Sequence, residues 1–134
     1  MPIQTDACPC GSGCAYVDCC EPMHSGRAPA RTAEQLMRSR YSAYALRQID
    51  YLFATTHPDK RDEDFREQMN AWANRAEFTR LEILGKRQGG ALDKVGKVEF
   101  IASYRQFGEE KQMHEISRFR RYQGKWHYFD GEID

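Results

Sequence analysis

The sequence lacks three things whose absence excludes whole classes of protein: a long apolar run, an excess of charge of one sign, and any cysteine after position 20. No apolar stretch approaches the ~18 residues that a bilayer-spanning helix needs, so no membrane partner is expected. The polar start, Met1 to Asp6, has neither the basic nor the apolar region of a secretory signal, which points to a cytoplasmic chain. Twenty basic and twenty acidic residues cancel. There is therefore no strong nucleic-acid signal, and an RNA role would need a local patch. No phosphate loop, dinucleotide fingerprint, internal repeat or low-complexity segment is present. At 134 residues the chain supports one domain with a real core plus a small appendage, but not two cores of ordinary size.

What is present begins with the cysteines. All five lie between positions 8 and 20, whereas a disulfide framework staples distant parts of a chain. Cys8-Pro-Cys10 and Cys19-Cys20 give two pairs of thiols separated by an eight-residue loop, and four thiolates are the usual set of a closed tetrahedral zinc site. Cys8, Cys10, Cys19 and Cys20 are thus the expected metal ligands, with zinc as the cofactor. Gly11 and Gly13 permit tight turns that can aim backbone N–H groups at the sulfurs. Cys14 is left over as a spare thiol. His24 could stand in for a ligand, but its position also suits an ordinary polar linker residue. Residues 1–31 are rich in Cys, Gly and Pro and could not bury a core unaided, so they read as a metal-stapled module and linker ahead of a domain spanning 32–134.

The periodicity of that domain changes once. Thr32 followed by Gln35 fits a capping box, and Met37, Tyr41, Tyr44, Tyr51 and Leu52 then recur at near-helical spacing until about Thr56, which predicts one long helix. Pro58 with Asp59, Asp62 and Glu63 suits a second first turn, and Phe65, Met69 and Trp72 mark one face of a helix ending near Asn74. After Ala76 the period falls to two. Leu81 and Ile83 alternate in a first strand, Gly85 to Lys94 reads as a long connection, and Val98, Phe100, Ala102 and Tyr104 share a face of the second. A two-residue loop at Glu109-Glu110 sets Tyr104 opposite Glu115 and Phe100 opposite Phe119. A turn at Gln123-Gly124 sets Arg121 opposite Trp126 and Phe119 opposite Tyr128. The expected fold class is α+β, two helices packed on a curved antiparallel sheet. His114, Arg118, Arg120, Lys125 and His127 fall on the outer face.

Glu115, Ser117 and Arg121 are polar residues on the face otherwise formed by Met113, Phe119, Trp126 and Tyr128. A buried carboxylate needs a partner. Tyr104, Arg38 and Arg40 are the nearest candidates for Glu115. The alternative is a lined cavity in which Tyr41, Tyr44, Tyr104, Glu115, Ser117, Trp126 and Tyr128 converge on a small-molecule ligand.

The stretch Cys-Pro-Cys-Gly-Ser-Gly at 8–13, followed by Tyr16 and Cys19-Cys20, resembles the SEC-C motif at the C-terminus of the preprotein translocase motor SecA. Leu36-Met-Arg-Ser-Arg-Tyr-Ser-Ala-Tyr44, Thr55-Thr56-His57-Pro58, and His114-Glu115 through Trp126, Tyr128 and Asp130-Gly131 resemble the YchJ-like family of bacterial proteins. That likeness implies a nuclear-transport-factor-two-like (NTF2-like, or cystatin-like) cone. In SecA the motif engages a secretion chaperone and ribosomes, often through basic loop residues, and Cys14-Ala15 stand here where lysines are common. The resemblance implies a zinc-binding interaction protein with a protein or ribosomal partner. The competing expectation is an enzyme or ligand-binding protein that uses the cone cavity, with Glu115 as general base.

Overall fold

In a computed structural model, which describes residues 6–133, the chain runs from a short cysteine-rich segment through helices into a four-stranded antiparallel sheet of order β1-β2-β3-β4. The start of the polar N-terminal segment, residues 1–5, and residue 134 lie outside the described residues. A 3₁₀ turn at Tyr16–Asp18 leads into the one-turn helix α1, Glu21–His24. Helix α2, Ala33–Ala45, starts at the expected cap: Thr32 Oγ1 accepts from Gln35 N at 3.1 Å, while Gln35 Oε1 reaches back to Arg31 N at 2.7 Å.

The expected long helix to Thr56 is two helices. Arg47 takes a left-handed conformation, φ 59°, and a second helix, α3, covers Ile49–Ala54. Leu46 N donates to Ser42 O and Gln48 N to Ala43 O, so the last carbonyls of α2 are satisfied within the break. Apolar spacing continues through the break because α3 packs its Leu52 beside Ala43 and Met69, which hides the interruption from periodicity. Pro58 begins only a 3₁₀ turn, Pro58–Lys60. The next helix, α4, Glu63–Arg75, is capped by Asp62, whose carboxylate accepts from Phe65 N at 2.8 Å.

Strand β1, Glu77–Gln88, extends past Gly85, which sequence placed in a loop; two register shifts, at Phe78/Arg80 and Ile83/Gly85, bend it around the helices. Strands β2, Val95–Gln106, and β3, Glu109–Tyr122, join at Phe107-Gly108 rather than at Glu109-Glu110. Both turn residues have positive φ, 53° and 77°, the twist that a two-residue hairpin needs, and Gln123-Gly124 repeats it between β3 and β4, Lys125–Ile133, at 52° and 80°. The first register therefore moves by an even number of residues. Phe100 faces Glu115, Val98 faces Ser117, and Tyr104 faces Lys111. An even shift keeps every side chain on its expected face and changes only its neighbours. The second hairpin pairs Phe119 with Tyr128 and Arg121 with Trp126, as the Gln123-Gly124 turn predicts.

The inner sheet face and α2 enclose one core containing Leu36, Met37, Tyr41, Val98, Phe100, Phe119 and Trp126. Burial of each large side chain stabilises the fold by roughly 1.5–3 kcal/mol. Cys8, Cys10 and Cys20 belong to this same core.

Candidate metal centre and cone cavity

The cysteine segment folds by closing its own loop. Ala7 and Ala15 form an antiparallel bridge, Cys8 N donates to Cys14 O at 2.9 Å, and the 3₁₀ turn then swings Cys19-Cys20 back against Cys10. One sulfur from each of Cys8, Cys10, Cys19 and Cys20 results, all within 4.8 Å of one another. Cys10 and Cys19 sulfurs are 3.6 Å apart and those of Cys19 and Cys20 3.9 Å. A tetrahedron of thiolates at ~2.3 Å from zinc has edges of roughly 3.8 Å, so the donor set fits such an ion. Cys14 is exposed and outside this group. His24 is engaged elsewhere: Tyr16 Oη meets its Nδ1 at 2.7 Å, and its Nε2 lies 2.8 Å from Ser39 O. Gln48 Nε2 donates to Tyr16 Oη, which leaves the phenol proton for Nδ1 and sets the ring as the neutral Nε2–H tautomer. Burial, the main cause, holds His24 below the ordinary imidazole value.

Both hydroxyls and a backbone N–H approach the sulfurs: the Ser12 N–H, in the turn between Gly11 and Gly13, bonds to Cys10. Ser42 of α2 donates to Cys20 Sγ at 3.3 Å and lies 3.4 Å from Cys8 Sγ, and Ser12 lies 3.2 Å from Cys19 Sγ. Gly11 N instead donates to Cys8 O. Sequence reasoning missed Ser42; its signal is a small polar residue on the buried, apolar face of α2. Arg38, considered above as a partner of Glu115, donates to Cys10 O at 2.9 Å and to Glu34 at 3.0 Å. Its cation faces the side where four thiolates around a divalent ion would leave excess negative charge.

Crowded thiols cannot all ionise. Hydrogen bonds from Cys20 and Cys8 hold the Cys10 thiol far below the usual range, the same contact with Cys10 pushes Cys20 well up, and burial pushes Cys19 up to about 11. The charge thus collects on Cys10 while protons stay on Cys19 and Cys20. A bound metal must displace those protons, which ties metal retention to pH.

The second site lies between α2, Phe65 of α4 and the inner sheet face, as a cavity of about 170 Å³. It is lined by Tyr41, Tyr44, Glu115, Ser117 and Tyr128. Tyr104 and Trp126 are not brought to it. Tyr104 pairs with Lys111, four residues along β3 from the Glu115 that the expected register set opposite it, and packs edge-on against Trp72, 4.9 Å between ring centres. Trp126 donates from Nε1 to Arg31 O at 3.1 Å, and it faces a separate, larger cleft of about 910 Å³ beside the 23–30 linker. Glu115 forms no ion pair with Arg38 or Arg40 and no bond with Tyr104. Its Oε2 accepts from Ser117 Oγ, and from Tyr128 Oη at 3.3 Å. Gly131 of β4 abuts that carboxylate so closely that a Cβ there would collide with it. Arg121, on the same face, donates to the carbonyls of Asp93, Ala91 and Gly124 and ties the β1–β2 loop to the β3–β4 turn.

Known proteins resemble this chain in sequence and fold. The family model described as the YchJ middle NTF2-like domain matches residues 32–131. A UPF0225 protein of Geobacter sulfurreducens is 44% identical over 128 residues, covering 96% of this chain and 80% of that protein. The solution structure of a SEC-C motif containing protein from Rhodopseudomonas palustris superposes with a TM-score of 0.86 at 42% identity, over 95% of this chain and 98% of that one. The crystal structure of a SEC-C motif containing protein from Psychrobacter arcticus gives 0.81 at 28% identity, over 100% and 86%. The fold, the cysteine segment and the sequence likeness therefore agree: the chain belongs to the YchJ-like UPF0225 family, and residues 32–131 form its middle NTF2-like domain.

Proposed function

We propose that the chain is a zinc-binding interaction protein of the cytoplasm, in which Cys8, Cys10, Cys19 and Cys20 hold zinc and the loop between them meets a protein or ribosomal partner. The observation that carries this reading is the convergence of four thiols at tetrahedral spacing beneath an exposed loop, Gly11–Cys14. Zinc held by four thiolates leaves no open position for substrate, so its contribution is to fix that loop's shape. The clustering of all five cysteines between positions 8 and 20 agrees with a reducing compartment, and among the described residues no helix is long and apolar enough to cross a membrane. A ribosomal partner gains support from the outer face near β4, where Arg120 lies 3.8 Å and Lys60 4.6 Å over the Phe129 ring, presenting cations and an aromatic side by side.

Co-sedimentation with purified ribosomes, and capture from native extract, are the tests, each with zinc-loaded and chelated protein. Association should depend on zinc, and a ribosomal contact should weaken steeply with salt. Equal capture by the loaded and chelated forms would overturn the zinc-loop reading. The alternative, a small-molecule site in the cone with Glu115 as general base, is favoured by one observation: the buried Tyr41 hydroxyl in the cavity wall has no protein partner.

A further inference from the structure

The cone cavity holds two opposite charges that do not pair with each other. Arg40 is almost fully buried, and only its Nη1 meets protein acceptors: Leu52 O at 2.9 Å, Thr55 Oγ1 at 2.8 Å and Thr56 Oγ1 at 3.2 Å. Its Nε and Nη2 have no acceptor among the described residues. Its guanidinium also stacks 4.7 Å over the Tyr128 ring. Glu115, also in the lining, engages Oε2 with Ser117 and Tyr128, while Oε1 has no donor among the described residues. Tyr44 also lines the cavity, within the field of both charges. Tyr41, 3% exposed, adds an O–H with nothing to accept it. One unserved buried donor, Tyr41 Oη, and two lining charges that do not pair with each other are costly, and a ligand that serves both ends removes the cost.

We propose that this cavity binds a small zwitterion of the α-amino acid class, its carboxylate accepting from Arg40 and Tyr41, its ammonium facing Glu115, and its apolar side chain against Phe100 and Met113. The proposal rests on the cavity being a ligand site, the alternative given above. Size supports it: about 170 Å³ is the share of five or six waters at ~30 Å³ each, room for a compact molecule only. A simple anion would serve Arg40 and Tyr41 but bring like charge to Glu115. A simple amine would serve Glu115 and leave the donors unmet. Water would satisfy hydrogen bonds without balancing either charge.

The test uses the full chain loaded with zinc and three probes that differ only in their ends: L-norvaline, valerate, which lacks the ammonium, and butylamine, which lacks the carboxylate. Binding is read from the ring resonances of Tyr41 and Tyr44. L-Norvaline should give saturable shifts, with valerate and butylamine each weaker by about tenfold or more, as expected for loss of one charged hydrogen-bonded end. Tyr41→Phe should weaken L-norvaline about tenfold. Glu115→Gln should weaken L-norvaline and leave valerate unchanged or tighter. If valerate binds as well as L-norvaline, the zwitterion class is overturned while the cavity survives as an anion site. If no probe moves either tyrosine, both the class and the ligand-site reading fall.

Discussion

At the scale of single residues, the candidate metal centre depends on groups that are not ligands. Ser42 supplies a hydroxyl to two sulfurs from a helix in the following domain, and such supporting bonds orient thiolates and spread their charge. Ser42→Ala should therefore lower zinc affinity about tenfold, the low end of the effect typical of these partners. Competition against a chromophoric chelator measures it, and an unchanged affinity would show that the hydroxyl only fills space. His24 gives a second residue-scale prediction with a definite sign. Burial depresses its folded-state pKa below the unfolded value, so the unfolded chain binds the extra proton more readily. Its contribution is present in full above the unfolded value near 6.5 and is lost as pH falls from there through the folded value. Thiol protonation acts in the same direction. Comparing His24→Asn with the parent chain isolates the histidine, because the thiols are common to both: below pH 6.5 the variant's stability should fall less steeply. Parallel slopes would mean that His24 does not carry the effect.

At the scale of elements, the strength of the sequence signal follows the reach of the interaction. The cysteine pairs are legible because ligand spacing is local, and the cap at Thr32 because a box of three residues contains its own partners. The face assignment of Glu115, Ser117 and Phe119 is legible because period two fixes a face whatever the register. The register was not, since Phe107-Gly108 and Glu109-Glu110 both offer a turn, and only the positive φ of the former pair decides between them. Tyr104 was misplaced for that reason alone. The break between α2 and α3 leaves no trace in periodicity because Arg47, which holds the left-handed conformation, is neither Gly nor Asn. That strain is testable. Replacing Arg47 with Gly removes the Cβ conflict, worth about 1 kcal/mol, and should raise the melting temperature by a few degrees. A lower melting temperature would mean that the Arg47 side chain has a role in the cleft beside the linker.

At the scale of the whole molecule, the question is whether the cysteine segment is an appendage or part of the domain. Sequence placed a boundary near residue 31, since its apolar periodicity assigns the cone core to residues after Thr32. In the structure Cys8, Cys10 and Cys20 are buried in the core that also contains Leu36, Met37, Phe119 and Trp126. Further ties cross that boundary, among them Arg38 to Cys10 O, His24 to Ser39 O, Gln48 to Tyr16 Oη, and Ser42 to two sulfurs. Removal of a bound metal would thus disturb more than a loop, because four thiols without an ion put competing protons and charge into the wall of the cone. A ligand that binds only the folded state stabilises it by RT ln(1 + [L]/Kd), about 2.7 kcal/mol at a hundredfold excess over Kd. Calorimetry of zinc-loaded protein should accordingly show one transition for the segment and the cone together, moved down by several degrees on chelation and on Cys19→Ser substitution. If chelation instead disorders residues 8–20, as judged by amide exchange, while the melting temperature of Phe119, Trp126 and their neighbours stays fixed, the segment is an independent module and these crossing bonds carry little energy.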